Sequence, residues 1–179
     1  LATDNQAIDE RLDRLGVRGR RIAVFCPLTR WPTKNWPLSE FVDLVKKLPE
    51  DFFVIFTGTA SEQALISEAM ARLAPTRAAS FAGCLSLSEY FALVSIAQLV
   101  VTGDSLPMHV ASAYNRPLVA LFGPTDESRV APRSEGSVVV RADTDCHRCY
   151  RRSYCPRSCI GRITVAQVAQ AIDEVLGAH

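Results

Sequence analysis

The stretch QLVVTGDSLPMHVASAYNRPLVALFG, residues 98–123, holds two apolar runs on either side of a short segment with helical spacing. QLVVTG and PLVALFG are apolar throughout, without the alternation of a strand that faces water on one side, so both read as strands buried on two faces. Between them, Pro107 suits a first helical turn, where its missing N–H would lack a partner anyway. Asn115 tolerates the left-handed conformation that ends a helix, and Pro117 forbids its return. Gly103 permits a turn that other residues would find costly, and Asp104 or Ser105 can cap the helix that follows. The stretch is strand, helix, strand.

The same unit repeats toward both ends. RRIAVFCPLT (20–29) and DFFVIFTG (51–58) are further buried runs, and RAASFAGC (77–84) is a weaker one. Leu38, Phe41, Val42, Val45 and Leu48 recur at helical spacing after the first. Thr59 with Glu62 and Ser86 with Glu89 have the spacing of capping boxes. Leu65, Ile66, Ala69, Met70 and Leu73 continue one apolar helical face, and Leu87, Tyr90, Phe91 and Val94 another. SVVVR (137–141) is a last short strand, and a helix follows Thr164 and Gln167 until Gly177. Strands alternating with helices in this way predict a doubly wound α/β domain with a parallel sheet of about six strands. Residues 1–19 fall outside the repeat, and Ile8, Leu12 and Leu15 mark one amphipathic helix there.

The 179 residues, 48% hydrophobic, suffice for one domain with a sizeable core. Lysine and arginine total 20 against 19 acidic residues, so no overall field draws the molecule to nucleic acid or an anionic membrane. No run approaches the roughly 18 apolar residues of a membrane-spanning helix, and no export signal opens the chain. A soluble, cytoplasmic protein is expected.

In open parallel sheets ligands bind beyond the carboxyl ends of the strands, where helix N-termini present free N–H groups. The residues at those ends carry a resemblance. TGDSLPMHVASAYNRPLVALFGPTD (102–126) resembles the signature of the family 9 glycosyltransferases, the ADP-heptose lipopolysaccharide heptosyltransferase family. Its usual form is strand, Asp-Ser/Thr-Gly-x-x-His, helix, then strand and Phe-Gly-Pro-Thr. TRWPTKNWP (29–37) is similar to that family's lysine-containing loop, and CHRCYRRSYCPRSCIGRITVAQV (146–168) to its cysteine-bearing tail. The three pieces occur in the family's order and cover most of residues 20–177.

The resemblance implies the C-terminal, donor-binding half of a GT-B enzyme, in which two Rossmann-like halves face each other across the active site. Residues 1–19 are then a linker or helix from an N-terminal domain, and 20–179 a nucleotide-sugar-binding domain with a cysteine-rich loop at 145–160. An inverting transfer is implied, from ADP-heptose to a lipopolysaccharide inner-core acceptor, whose hydroxyl attacks the anomeric carbon as the nucleoside diphosphate leaves. The general base would lie in the N-terminal domain, so no catalytic base is assigned here and this chain alone is expected not to turn over sugar. No cofactor is needed for the chemistry, and the full-length enzyme would be cytoplasmic or peripheral at the inner membrane.

By the same match, the N–H groups of Ser105 and Leu106 would hold the donor diphosphate at a helix N-terminus, and Asp104 would face the sugar hydroxyls. His109, one turn on, would approach the sugar or pyrophosphate, although a helical histidine can equally be a packed residue. Lys34 would neutralise the departing diphosphate, with Arg30 assisting and Thr29 adding a hydroxyl. Glu62 would bind ribose hydroxyls, in competition with its role in the capping box. Adenine would lie near Gly83, Cys84 and Leu85, and Thr125 near the diphosphate or sugar. Leu106 stands where the family usually has glycine, which leaves open a non-catalytic relative that keeps nucleotide binding.

Cys146, Cys149, Cys155 and Cys159 form C-x2-C-x5-C-x3-C, which can surround a structural zinc or remain free thiols or disulfides. Cys26 and Cys84 read as core or cleft-lining residues. RCYRRSYCPR interleaves arginine with tyrosine, the composition of a small nucleic-acid-binding knuckle. Near-neutral charge and the large sheet argue against that, and no nucleic-acid partner is expected. In a glycosyltransferase these arginines could meet an acidic acceptor instead.

Overall fold

The computed structural model describes residues 2–142, 144–146 and 148–177. Six strands, β1 (Arg21–Cys26), β2 (Phe52–Phe56), β3 (Ala78–Ser80), β4 (Leu99–Gly103), β5 (Leu118–Phe122) and β6 (Ser137–Arg141), form one sheet in the order β3-β2-β1-β4-β5-β6. Every pairing is parallel. The expected doubly wound α/β architecture is therefore present, with strand order reversing between β1 and β4.

Each strand feeds both faces because side chains alternate across the pleat. In β1, Ala23 and Phe25 pack under α2 (Leu38–Lys47), α3 (Gln63–Met70) and α7 (Val165–Gly177), with Phe41, Leu44, Ile66, Val168 and Ile172. Ile22, Val24 and Cys26 point the other way, toward α1 (Ala2–Arg14), α4 (Leu87–Ile96) and α5 (Leu106–Ala113), against Ile8, Leu93 and Met108. Only with both faces covered do the continuous apolar runs of β1, β2, β4 and β5 leave water together. A one-turn helix, α6 (Glu127–Val130), lies between β5 and β6.

One local expectation needs correcting, the reach of three apolar helical faces. Leu15, Leu65 and Leu87 are 40%, 51% and 60% exposed; α1 ends at Arg14, before Leu15, and Val17 beyond it takes the buried place. Helical spacing marks a stripe wider than the surface the sheet covers, so residues at its edge remain wet. The Thr59–Glu62 capping box forms, but around a 3-10 turn, Ala60–Glu62, that precedes α3. Residues 2–14 are helical and pack on this domain, with Ile8 and Leu12 buried. From this helix Arg11 donates to the Cys84 carbonyl at 3.0 Å and pairs with Glu89 at 3.2 Å.

Candidate functional site

The reversal between β1 and β4 opens a crevice at their carboxyl ends, because the chain leaves the two strands toward opposite sides. Its volume is about 590 Å³, within the range of small-ligand sites. The walls come from the segments after β1 (Leu28, Thr29, Arg30), after β2 (Thr57, Gly58, Glu62) and after β4 (Ser105, Leu106, Pro107). A fourth wall, Gly83, Leu85 and Ser86, precedes α4.

The loop after β1 is folded by its own polar groups. Asn35 Oδ1 accepts from Thr29 N at 2.8 Å and Thr29 Oγ1 at 2.9 Å, and Trp36 Nε1 anchors the loop on Ile163 O at 2.8 Å. Thr29 borders the crevice, yet its hydroxyl is engaged in shaping the loop. At the crest, a 3-10 turn at Pro32–Lys34 lays main chain directly over β4. A Cβ on Gly103 would lie 2.9 Å from Lys34 O, so only glycine admits the loop there. The expectation assigned Gly103 to a turn; close approach is what the structure uses it for.

Lys34 Nζ is thereby placed 2.6 Å from Asp104 Oδ2 and 3.2 Å from Asp104 O. The two side chains keep 14% and 7% of their exposure. Asp104 is consequently not the helix cap, and Ser105, which occupies the cap position, turns its Oγ back to Gly103 O at 3.4 Å. The α5 ladder begins with Met108 N donating to Ser105 O at 3.1 Å. The N–H groups of Ser105 and Leu106 precede it and Pro107 has none, which leaves the helix end facing the crevice without a side-chain cap.

Of the residues singled out from the sequence, Thr29, Arg30, Glu62, Gly83, Leu85, Ser105 and Leu106 meet around the crevice, with Lys34 and Asp104 paired beside it. Glu62 accepts from Thr59 N at 2.7 Å, so one carboxylate oxygen serves the capping box at the crevice wall. Leu106 is 53% exposed at the mouth. Cys84, His109 and Thr125 lie off the lining: Cys84 and His109 are exposed, and Thr125 is buried with no partner for its hydroxyl among the described residues.

Three floor residues had no place in the sequence reading as a group. Cys26 Sγ lies 3.1 Å from Thr57 Oγ1 and 3.4 Å from the Tyr90 hydroxyl. Burial, first, pushes the Cys26 thiol above its ordinary value, and burial followed by the neighbouring Cys26 pushes Tyr90 up as well. All three therefore stay neutral and form a polar but uncharged floor. A hydroxyl-bearing ring on the apolar face of α4 was the available signal.

The sequence profile of glycosyltransferase family 9 (heptosyltransferase) matches residues 1–159. This chain belongs to glycosyltransferase family 9. Lipopolysaccharide heptosyltransferase 2 of Escherichia coli (strain K12) is 36% identical over 129 residues, which are 69% of this chain and 37% of that relative. The structure of E. coli ADP-heptose LPS heptosyltransferase II aligns with a TM-score of 0.82 at 26% identity, covering 99% of this chain and 52% of that one. A family 9 glycosyltransferase from Veillonella parvula shares the fold, with a TM-score of 0.83 at 19% identity, 99% of this chain and 52% of that one. The chain spans a little over a third of the curated relative's length and about half of each solved chain.

Within this family 9 domain the clustered cysteines carry the donor chemistry of a thiolate site. Cys149, Cys155 and Cys159 line one hollow, and Cys146 and Cys159 an adjoining one. All four are free thiols, and among the described residues no three ligating side chains converge on a point that could hold an ion. Among the described residues the loop as arranged does not gather these thiols into a zinc site, one of the three states the spacing allows. Burial, then the neighbouring thiols of Cys146, Cys155 and Cys149, push Cys159 up and favour its protonated form. No described helix is long and apolar enough to cross a membrane.

Proposed function

We propose that this chain is the donor-binding half of an inverting heptosyltransferase that takes ADP-heptose and delivers the sugar to a lipopolysaccharide inner-core acceptor. The observation that carries the reading is the placement of Lys34, Asp104 and the uncapped start of α5 together at the strand-order reversal. The names of the relatives supply the donor and the acceptor class.

In this reading the diphosphate lies across the Ser105 and Leu106 N–H groups, where a helix end favours an anion by about 0.3 to 2 kcal/mol. Lys34 then meets the charge that develops on the leaving diphosphate, and Asp104, relieved of the ammonium, accepts from sugar hydroxyls. The nucleoside enters the crevice, with Glu62 beside the ribose and the base over the neutral floor of Cys26, Thr57 and Tyr90. Leu106 at the mouth narrows the approach to the diphosphate and sets its position. A general base on an N-terminal domain completes the reaction, in the cytoplasm or at the inner face of the membrane, and this chain by itself binds without turnover.

Calorimetric titration with ADP, UDP and GDP tests the reading. Selective ADP binding with Kd on the order of 10 µM to 1 mM, about 4 to 7 kcal/mol, is expected of half a site. Lys34→Ala should abolish it. Equal binding of all three nucleotides, or none, would reject the donor assignment, and sugar transfer by these 179 residues alone would reject the division of labour.

A further inference from the structure

A second arrangement lies where the loop after β1 meets the cysteine-rich loop. Lys34 Nζ and the Arg152 guanidinium carbon sit 4.3 Å and 4.7 Å from the centre of the Trp31 ring. Thr33 Oγ1 donates to the main-chain oxygens of Arg151 and Arg152, which fastens the two loops together. Arg30, Trp31, Pro32, Arg152 and Ser153 line an open hollow of about 470 Å³, and Arg30 also borders the crevice.

The charges around this hollow do not cancel. None of the residues lining it is acidic, and Asp104, Asp126 and Glu127 are already paired with Lys34, Arg148 and Arg141. Among the described residues neither Arg30 nor Arg152 has a carboxylate partner. A guanidinium steadied over an indole loses less freedom when it binds, and its N–H fork matches the oxygens of a phosphate or carboxylate. The ring supplies an amphipathic wall on which a sugar can rest.

We propose that Arg30, Trp31 and Arg152 form a subsite for an oxyanion carried by the acceptor sugar, either a phosphate monoester or a carboxylate. The subsite abuts the crevice through Arg30, so an anion held there would bring its own sugar to the edge of the donor site. The assignment of that sugar as acceptor rests on the donor reading above.

Trp31 is part-exposed whereas Trp36 is buried, so tryptophan emission reports on this hollow. The whole chain is titrated with glucose 6-phosphate, glucuronate and neutral glucose, each with and without saturating ADP. Saturable change with an anionic sugar, none with glucose, and at least about tenfold weaker binding in Arg152→Gln and in Arg30→Gln are expected. A response to glucose 6-phosphate alone assigns a phosphate ester, and a response to glucuronate alone assigns a carboxylate. Equal response to glucose, competitive displacement by ADP, or unchanged affinity in both variants would overturn the subsite. ADP binding is read separately by calorimetry: its absence beside an intact anion response would remove the donor reading and leave the anion subsite standing.

Discussion

Replacing Lys34 by methionine keeps an unbranched apolar side chain and removes the ammonium from both Asp104 and the Trp31 ring. Asp104, 7% exposed and 2.6 Å from the lost ammonium, would then be a desolvated carboxylate without a cation. Breaking a buried pair from one side costs about 3 to 5 kcal/mol, and the 14% exposure of Lys34 puts this one at the lower end, about 3 kcal/mol. For a domain of this size that is about 6 to 12 °C in Tm. Asp104→Asn should cost less, about 1 kcal/mol, because the amide still accepts a hydrogen bond and the lysine can turn toward the crevice. The double variant Lys34→Met/Asp104→Leu should recover most of the first loss, since no charge is left unpaired. Urea unfolding of these proteins together with Asp104→Leu, the remaining corner of the cycle, gives the coupling directly. A loss below about 0.5 kcal/mol in Lys34→Met would mean that the pair behaves as an exposed one, and the account of a poised, desolvated ammonium would be wrong.

Gly103→Ala places a methyl 2.9 Å from Lys34 O; we expect a loss of about 1 to 3 kcal/mol and weaker ADP binding, checked by melting and calorimetry, with no change in either contradicting the close-approach argument. Cys26 and Tyr90 stay protonated in the folded chain above their ordinary values of 9.0 and 10.0, whereas the unfolded chain loses those protons. Stability is therefore fully present below about pH 9 and falls as pH rises beyond it, and Tyr90→Phe should flatten the alkaline limb of a urea-midpoint profile. Brief alkylation followed by mass spectrometry should label the exposed Cys84 and Cys149 first and the buried Cys26 and Cys159 last. Equal labelling of Cys26 and Cys84 would show that the crevice floor is open.

The architecture was legible because it rests on the simplest signals, uninterrupted apolar runs and caps at fixed spacing. β3 was faint for the same reason that it is short: Ala78 to Ser80 offers little apolar surface to read. The site was legible in parts. Glycine, aspartate and lysine stood out at strand ends, and seven of the twelve residues named from the sequence for the donor do meet around the crevice. The pairing of Lys34 with Asp104 was not visible, because it depends on a loop crossing β4 at a distance that only three-dimensional packing sets. Nor was the Cys26, Thr57 and Tyr90 floor, whose members come from β1, the end of β2 and α4 and look individually like ordinary core residues. His109 shows the converse: a residue prominent in a motif, yet exposed outside the lining.

The fastening of Thr33 to the chain at Arg151 and Arg152 bears on the order in which the molecule assembles. It joins positions 118 and 119 residues apart. Thr33 sits in a single 3-10 turn and Arg151 and Arg152 in no strand or helix, so nothing local holds them near each other before β1, β4 and β5 have zipped together. Closing so long a loop carries an entropic cost that only a finished sheet can offset. The sheet should thus mature first, once α7 has been made and can cover its face, and the Trp31 hollow last, so that this hollow is among the final parts of the molecule to take shape.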